Sequence, residues 1–404
     1  MVVWAIAWRN LWRNQRRTWL TASGIAFACV LLLFSRSMQL GSYRDQINAT
    51  TALLTGHVQV QHPKYLDDPK LEYLVPGAAA LAEQLLKLDG VAATTLRTSA
   101  FALLSVDERS FGAEVVGVRP EAELMVSTLP ATITEGRYLE GGSEVVIGKL
   151  LATNLGALLG DELVLLGTGP EGGVAALALT IVGIFDTGYA ALDRGLVQLP
   201  LETFHEGFYI DDAAGVVILQ LEDAGDAERV TAAVTSQLPS DMVARPWQVL
   251  LPDVVQGIAL DKISARLMYG IITFIVLFSI VNSFVITIFE RTREFGMLLA
   301  IGMHPWSIIG MLQLEALWLA LLGAVLGGLV SLPILTWLIF NGIPIAGMEE
   351  MTRGIVLPTH IKGAFVPLQL LAIPLVFVLG CQVASLMPGL RLLRVHPVEA
   401  LRAE

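Results

Sequence analysis

Four charged residues, two acidic and two basic, lie in a short segment between two long apolar runs, residues 267–289 and 306–340. They are Glu290, Arg291, Arg293 and Glu294. Such side chains form ion pairs and charge-assisted hydrogen bonds, which fix the register in which two surfaces dock. Because both flanking runs are long enough to cross a bilayer, the segment lies in water at one membrane face. An ordinary connecting loop is the alternative.

The residues that follow these charges have the pattern of a short amphipathic helix. Its apolar positions are Phe295, Met297, Leu298 and Ile301. Gly302 and Pro305 are typical of a point at which one helix ends and another begins. We therefore predict a helix at the membrane surface within residues 290–305.

The residues that would support catalysis or metal binding are scattered. Of the six histidines, only His57 and His62 lie close together, and an exposed strand explains that pair better than a metal site. The sequence contains neither a His-Glu-x-x-His motif nor a Gly-x-Ser-x-Gly elbow. The segment around Lys149 lacks the Ser or Thr of a phosphate-binding loop. We expect no catalytic residue, no metal site and no ATP binding in this chain.

A glycine-rich segment lies between two predicted strands, residues 162–166 and 177–185. It consists of Gly167, Thr168, Gly169, Pro170, Glu171, Gly172 and Gly173. Because it lacks the lysine of a phosphate-binding loop, it is better interpreted as the tip of a β-hairpin.

The composition is that of a membrane protein. Hydrophobic residues make up 54% of the 404 residues, and mean hydropathy is +0.64. Residues 41–262 carry a net charge of −17, whereas the rest of the chain carries +6. An acidic soluble segment argues against nucleic-acid binding. Both cysteines, Cys29 and Cys381, fall in apolar runs, so no disulfide stabilises the soluble segment.

The N-terminal segment mixes tryptophan and arginine, as do helices in the headgroup region of a bilayer. The proposed anchor residues are Trp4, Trp8, Arg9, Trp12, Arg13, Arg16 and Arg17. A signal peptide is the alternative, but no small-x-small cleavage site follows the first apolar run, which favours an uncleaved anchor.

Four membrane spans are predicted, with a mixed α+β domain of two lobes between the first and second. The predicted segments are an interfacial helix 1–17, spans 18–40, 264–289, 306–340 and 364–388, a soluble domain 41–263, the charged helix 290–305, a polar loop 341–363 and a tail 389–404. Within the soluble domain, strands 101–106 and 114–118 flank a turn at 108–112. Arginines near both termini favour a cytoplasmic location for each, which places the large domain outside.

The third apolar run is too long for one straight crossing, so we expect an interfacial start that ends near Glu315. Glu315 is an acid within an apolar run, where carboxylates often have a function, but snorkelling to the membrane surface or pairing with Arg291 or Arg293 is its simplest explanation. Gly323, Gly327 and Gly328 provide a small-residue face for close helix packing.

Three segments together resemble the FtsX-like ABC permease family of the MacB, LolC and LolE type. They are residues 7–25, residues 290–302 with the pattern Glu-Arg-x-Arg-Glu-Phe-Gly-x-Leu-x-Ala-Ile-Gly, and residues 313–328; Pro388 and residues 397–402 resemble the terminal signature. The resemblance implies four transmembrane helices, an FtsX-like permease domain at 264–402 and an extracytoplasmic domain of MacB periplasmic-core type. Leu299 stands where the family has a basic residue.

In that family the charged helix is a coupling helix that docks on a cytoplasmic ATPase. The resemblance assigns this role to Glu290, Arg291, Arg293, Glu294, Phe295, Gly296 and Gly302. It implies a permease subunit of the bacterial inner membrane that works with an ATPase dimer and a second permease copy, in a homodimer or a heterodimer. ATP and Mg²⁺ would bind the partner ATPase, and this chain would hold no cofactor.

The resemblance favours extraction or export of lipoprotein or lipidic substrate. Residues 167–173 match the position of a carrier-binding hairpin, so a periplasmic carrier or lipoprotein is a possible partner, beside membrane lipid. The alternatives are MacB-like efflux of drugs or peptides, FtsX-like signalling that activates a cell-wall hydrolase, and a membrane-anchored enzyme.

Overall fold

The computed structural model describes residues 2–170, 172–344, 360–365 and 367–390, with side chains from Ala7 onward. The predicted tail 389–404 and loop 341–363 therefore lie largely outside the described residues. The chain divides into two compact units. The helical unit comprises residues up to 42, residues 258–343 and those from 360 onward, and the α/β unit comprises residues 43–257.

The elements follow in chain order. The helices are α1 (Val2–Arg13), α2 (Gln15–Thr50), α3 (Ala78–Leu85), α4 (Pro120–Val126), α5 (Lys149–Leu155), α6 (Ala190–Gly195), α7 (Leu201–Phe208), α8 (Ala227–Thr235), α9 (Trp247–Leu250), α10 (Pro252–Glu290), α11 (Thr292–Ala300), α12 (Pro305–Asn341) and α13 (Pro367–Gly389). The strands are β1 (Val58–Gln61), β2 (Val75–Pro76), β3 (Val91–Val106), β4 (Arg109–Val118), β5 (Ile133–Gly136), β6 (Glu144–Gly148), β7 (Glu162–Thr168), β8 (Val174–Phe185), β9 (Leu196–Pro200), β10 (Ala213–Ala214), β11 (Val216–Leu221), β12 (Val243–Pro246), β13 (Ile343–Pro344) and β14 (His360–Ile361).

Four of the described helices, α2, α10, α12 and α13, are long and apolar enough to cross a membrane. This confirms the predicted set of four apolar helices. Two element boundaries differ from the expected ones. Helix α1 ends at Arg13, so Arg16 and Arg17 belong to the first turn of α2. Helix α12 is uninterrupted through Glu315, where an interfacial segment was expected to end.

Two glycines allow α12 to approach α2 closely. A Cβ added at Gly323 would lie 2.7 Å from Cβ of Ile25, and one added at Gly327 would lie 2.7 Å from Cβ of Cys29. Such distances are shorter than van der Waals contact, so only glycine fits. Gly328 has nothing within 4 Å of an added Cβ and takes no part in this contact. Two of the three predicted glycines thus form the packing face.

The α/β unit is built on one ten-stranded mixed sheet. Its order is β12-β1-β11-β3-β4-β9-β6-β8-β5, and β7 pairs with both β3 and β8. The pairs β4–β9 and β6–β8 are parallel. One core cluster joins α3 and α8 to β1 and β11, and a second joins α5 and α7 to β4, β6, β8 and β9. This confirms the predicted mixed α+β domain, and one continuous sheet runs through both clusters.

The turn between β3 and β4 is tighter than expected. Val106 pairs with Arg109, which leaves Asp107 and Glu108 as a two-residue loop instead of a turn at 108–112. Asp107 adopts a positive φ of 51°, as two-residue hairpin loops require.

In the α/β unit, a buried ion pair holds the turn that follows α2. Helix α2 continues into a π-helical turn, Thr51–Thr55. Arg97 of β3 pairs with Glu123 of α4 and also donates to the carbonyl of Leu54 in this turn. Arg97 is 5% exposed and Glu123 is fully buried. A buried guanidinium is costly unless its N–H groups are hydrogen-bonded. The bond from Arg97 to the carbonyl of Leu54 therefore holds the π-helical turn to the sheet.

We expect Gly327→Ala to lower the free energy of unfolding by about 1–3 kcal/mol, because its new methyl group must force α2 and α12 apart. The measurement is denaturant unfolding of the full chain in mild detergent. Gly328→Ala adds the same atoms to an open site and serves as the matched control. Equal effects of the two substitutions would contradict the close packing of α2 on α12.

Candidate functional site

Helix α11 is a nine-residue element between α10 and α12, at the position predicted from the sequence. Gly302 ends it with a φ of 95°. The amide of Met303 donates to the carbonyl of Leu298 (3.0 Å), and that of Gly302 donates to the carbonyl of Leu299 (3.0 Å). This is a Schellman cap, whose left-handed residue is normally glycine.

A buried ion pair lies behind α11. Arg291, between α10 and α11, places Nη1 3.0 Å from both carboxylate oxygens of Glu315 in α12. The two side chains are each only 9% exposed. Arg291 Nε donates to Glu294 (3.0 Å), and Asn10 Nδ2 of α1 donates to Glu315 (2.7 Å). The predicted pairing of Glu315 is therefore made by Arg291; among the described ion pairs none involves Arg293.

Two exposed ion pairs extend this cluster to α1 and α2. Arg13 lies 2.9 Å from Glu294, and Arg17 lies 2.9 Å from Glu290. With Arg291 and Glu315, the cluster contains three cations and three carboxylates. We call these six side chains and Asn10 the elbow cluster. It joins α1, α2, α10, α11 and α12, and its charges balance.

The elbow cluster shifts the pKa values of its own members. Partial burial opposes ionisation of Glu294, but hydrogen bonds from Arg13 and Arg291 outweigh it and hold the pKa of Glu294 below its usual range. Burial likewise opposes the charge of Arg291, yet Glu315 and Glu294 together raise the pKa of Arg291. Both groups are therefore charged at neutral pH.

The predicted docking residues divide into two groups. Phe295 is fully buried against α12 and lies under the Arg291 guanidinium, 5.1 Å from it, and Gly296 is also buried. These two and Arg291 face the interior of the helical unit and support α11 from behind. Glu290 and Glu294 are partly exposed but engage Arg17 and Arg13.

The surface that α11 offers to a partner is smaller and more apolar than expected. Arg293 is exposed, Met297 is 50% exposed and Ile301 is 78% exposed. We call these three residues the outer face of α11. The sequence pattern suggested one apolar stripe, but Phe295 and Leu298 pack inward while Met297 and Ile301 point outward.

Sequence reasoning missed the role of Asn10, Arg13 and Arg17 in this site, since it assigned the N-terminal arginines to lipid contact. Their spacing of three and four residues, which favours one helix face, was the available signal. Arg9 and Arg16 are exposed, and no ion pair of either is found among the described residues, so their lipid contact stays a prediction.

The N-terminal tryptophans pack on the helical unit as well as on one another. Trp8 lies edge-on to Trp318 of α12, at 5.0 Å between ring centroids, and to Trp12 at 5.8 Å. Trp8 is still 41% exposed, which leaves a face available for lipid. The side chain of Trp4 lies outside the described residues.

The second predicted site is a β-hairpin with a shorter tip than expected. Strand β7 continues through Gly167 and Thr168, and β8 begins at Val174. The tip is closed by a hydrogen bond from the amide of Gly169 to the carbonyl of Gly173 (2.8 Å). Gly167 packs on the ring of Phe208, where a Cβ would lie 2.8 Å from the ring. Glu171 lies outside the described residues.

The described part of the tip borders a cavity of about 370 Å³. Pro170, Leu71 and Ile210 supply apolar walls, while Asp211 supplies a charge. Tyr209 at its rim is 75% exposed. An exposed tip beside a partly apolar cavity has the features of a surface that contacts another protein.

Two family models account for most of the chain. The FtsX-like permease C-terminal model matches residues 266–397, and the MacB-like periplasmic core domain matches residues 18–237, more than half of the chain. The chain belongs to the FtsX-like ABC transporter permeases with a MacB-like periplasmic core. This confirms the family that the coupling-helix pattern indicated.

Relatives of this permease include proteins named LolC and MacB. It is 26% identical to the lipoprotein-releasing system transmembrane protein LolC of Xylella fastidiosa, over 74% of each chain. It is 23% identical to LolC of Neisseria meningitidis, over 96% of this chain and 94% of that one. It is also 23% identical to the macrolide export ATP-binding/permease protein MacB of Bordetella avium, over 97% of this chain but only 58% of MacB. The chain is a permease component of an ABC transporter.

We expect Arg291→Met to lower the free energy of unfolding by about 3–5 kcal/mol, because it leaves the Glu315 carboxylate buried without its cation. The double variant Arg291→Met/Glu315→Leu removes both charges and should recover most of that loss. Denaturant unfolding of the permease in mild detergent measures both.

Arg293→Gln is the control for this pair, because it removes an exposed arginine two residues away and should change stability by less than about 0.5 kcal/mol. A double variant as unstable as Arg291→Met would show that the unpaired Glu315 carboxylate is not the cause of the loss, contrary to the buried pairing.

Proposed function

We propose that this permease is a membrane subunit of a transporter that releases lipoproteins, or related lipidic molecules, from the inner membrane. A separate ATPase dimer binds ATP and Mg²⁺ and docks on α11 in the cytoplasm. The termini share that compartment, and the α/β unit lies in the periplasm. A second permease copy, identical or homologous, completes the membrane part.

The observation that carries the proposed docking is the rigid support behind the outer face of α11. A helix that transmits force to the rest of its chain must not move relative to the helix it packs on. The buried Arg291–Glu315 pair and Phe295 hold α11 on α12. The elbow cluster neutralises its own charges, so Arg293 is the cation available to a partner. Exposed Met297 and Ile301 supply the apolar area that stable docking needs.

The proposed mechanism is mechanical. Displacement of α11 acts on α10 directly, since Arg291 alone separates them, and on α2 through the Arg17–Glu290 pair. Helices α2 and α10 each continue from the helical unit into the α/β unit. There the Arg97–Glu123 pair holds the last turn of α2 to the sheet. In this proposal, ATP-driven movement at α11 reaches the sheet without bond chemistry in this chain.

The proposed substrate class is supported by the extent of the similarity to LolC. The permease covers 94% of a LolC chain, whereas it covers 58% of MacB, whose name includes ATP binding. A separate ATPase subunit is part of this proposal, which is supported by similarity to LolC along nearly its whole length. MacB-like export is the second candidate, and signalling to a cell-wall hydrolase is the alternative that the cross-linking experiment below distinguishes from release.

We expect Arg293→Glu/Met297→Asp/Ile301→Asp to abolish co-purification of the ATPase while leaving the permease folded, because all three side chains are exposed. The measurement is ATPase recovered with tagged permease in mild detergent, together with thermal unfolding of the permease. Arg9→Glu reverses an exposed arginine on α1 and is the control. Full recovery of the ATPase with the triple variant would rule out docking on this face.

Replacing residues 169–173 with Asn-Gly should weaken engagement of a periplasmic partner while retaining the ATPase. Thr168 pairs with Val174, so a two-residue turn preserves the hairpin register. Partners of the wild type and the variant are compared after cross-linking in cells. Loss of a lipoprotein or its carrier supports release, loss of a hydrolase supports signalling, and unchanged partners would show that the tip is not a docking site.

A further inference from the structure

A cavity of about 250 Å³ lies in the helical unit between α2, α10 and α13, away from the elbow cluster. Its apolar wall includes Leu32 from α2, and Ile373 and Phe377 from α13. Val376 also lines it and is 53% exposed, so the cavity opens on the surface of the helices. In a membrane, such an opening faces lipid.

One end of this cavity is polar and cationic. Arg36 of α2 lines it and donates from Nη1 to the side-chain oxygen of Gln39 (2.8 Å). Tyr269 of α10 donates to the same oxygen (3.2 Å), and the Gln39 amide donates to Asp261 (3.0 Å). Gln39 thus separates Arg36 from the nearest carboxylate in this network.

Arg36 retains unused binding capacity. A guanidinium has five N–H donors, and the described residues accept one hydrogen bond from it and form no ion pair with it. Apart from Arg36, the residues that line the cavity carry no charge. A half-buried cation at the end of an apolar cavity matches a ligand that combines an anionic group with an apolar tail.

We infer that the cavity holds a resident phospholipid, with the phosphate at Arg36 and one acyl chain along the wall formed by α2 and α13. An arginine binds phosphate oxygens in a bidentate manner, and the apolar wall excludes a free phosphate ion as the sole occupant. The lipid packs between three helices of one chain. This inference does not depend on the molecule that the transporter moves.

The experiment is native mass spectrometry, with phosphorus analysis, of the full-length permease purified in mild detergent. Wild type should retain about one phospholipid per chain after extended washing, because Arg36 binds the phosphate and the apolar wall binds the acyl chain. Arg36→Gln should weaken lipid retention about tenfold, because it removes a charge-assisted contact. Thr273→Phe keeps the arginine but fills the cavity, and should release the lipid as well.

Arg266→Gln is the matched control, since Arg266 is an exposed arginine on α10, one turn from Tyr269. It should retain the lipid, and thermal unfolding checks that each variant is folded. The inference is overturned if wild type and Arg36→Gln retain equal phospholipid. Equal losses in Arg36→Gln and Arg266→Gln would also overturn it, as would a bound fatty acid that contains no phosphorus.

Discussion

The helical unit depends on one buried ion pair, between Arg291 and Glu315. Removing both charges from water costs several kcal/mol per ion, and their attraction alone does not reliably offset that. The pair persists because every side of it is satisfied: Glu315 also accepts from Asn10, and Arg291 also donates to Glu294 and lies over Phe295. Buried pairs of this kind often stabilise a chain less than apolar packing would, and this one holds α11 to α12 at a single point.

A second buried arginine–glutamate pair performs the same task in the α/β unit. Arg97 and Glu123 lie on β3 and α4, and Arg97 also donates to the carbonyl of Leu54. Each pair thus holds a turn at one end of a long helix, α10 in one unit and α2 in the other. Close packing at Gly323 and Gly327 fixes α2 against α12 between them. The mechanical role proposed above would need stiffness at these points, because a compliant joint would absorb the displacement.

Local sequence patterns predicted the elements well. The four apolar helices, helix α11 with its Gly302 cap and the hairpin of β7 and β8 each follow from periodicity or from turn residues close in sequence. The pairing of Glu315 was predictable because a carboxylate within an apolar run needs a cation. Two of the three glycines in the predicted packing face, Gly323 and Gly327, were correct, but spacing did not show that Gly328 lies outside the contact.

The contacts that assemble the site were not predictable, because they join residues far apart in sequence. Asn10 and Glu315 are separated by 305 positions, and Arg17 and Glu290 by 273. Periodicity shows that α11 is amphipathic, but the direction in which Met297 and Ile301 point depends on where α12 packs. The sheet order raises the same difficulty, since parallel pairs such as β4–β9 place strands together that the chain visits far apart.

Charge balance within the elbow cluster determines what a docking partner must offer. Three cations and three carboxylates neutralise one another, so they contribute little field beyond the membrane surface. Arg293 is not one of these six charged residues, and it lies on the outer face of α11 with the exposed side chains of Met297 and Ile301. A complementary surface therefore presents one or more carboxylates at the edge of an apolar groove. In the proposed docking, the carboxylates would determine orientation and the groove would supply affinity, while the paired charges behind α11 would hold it on α12.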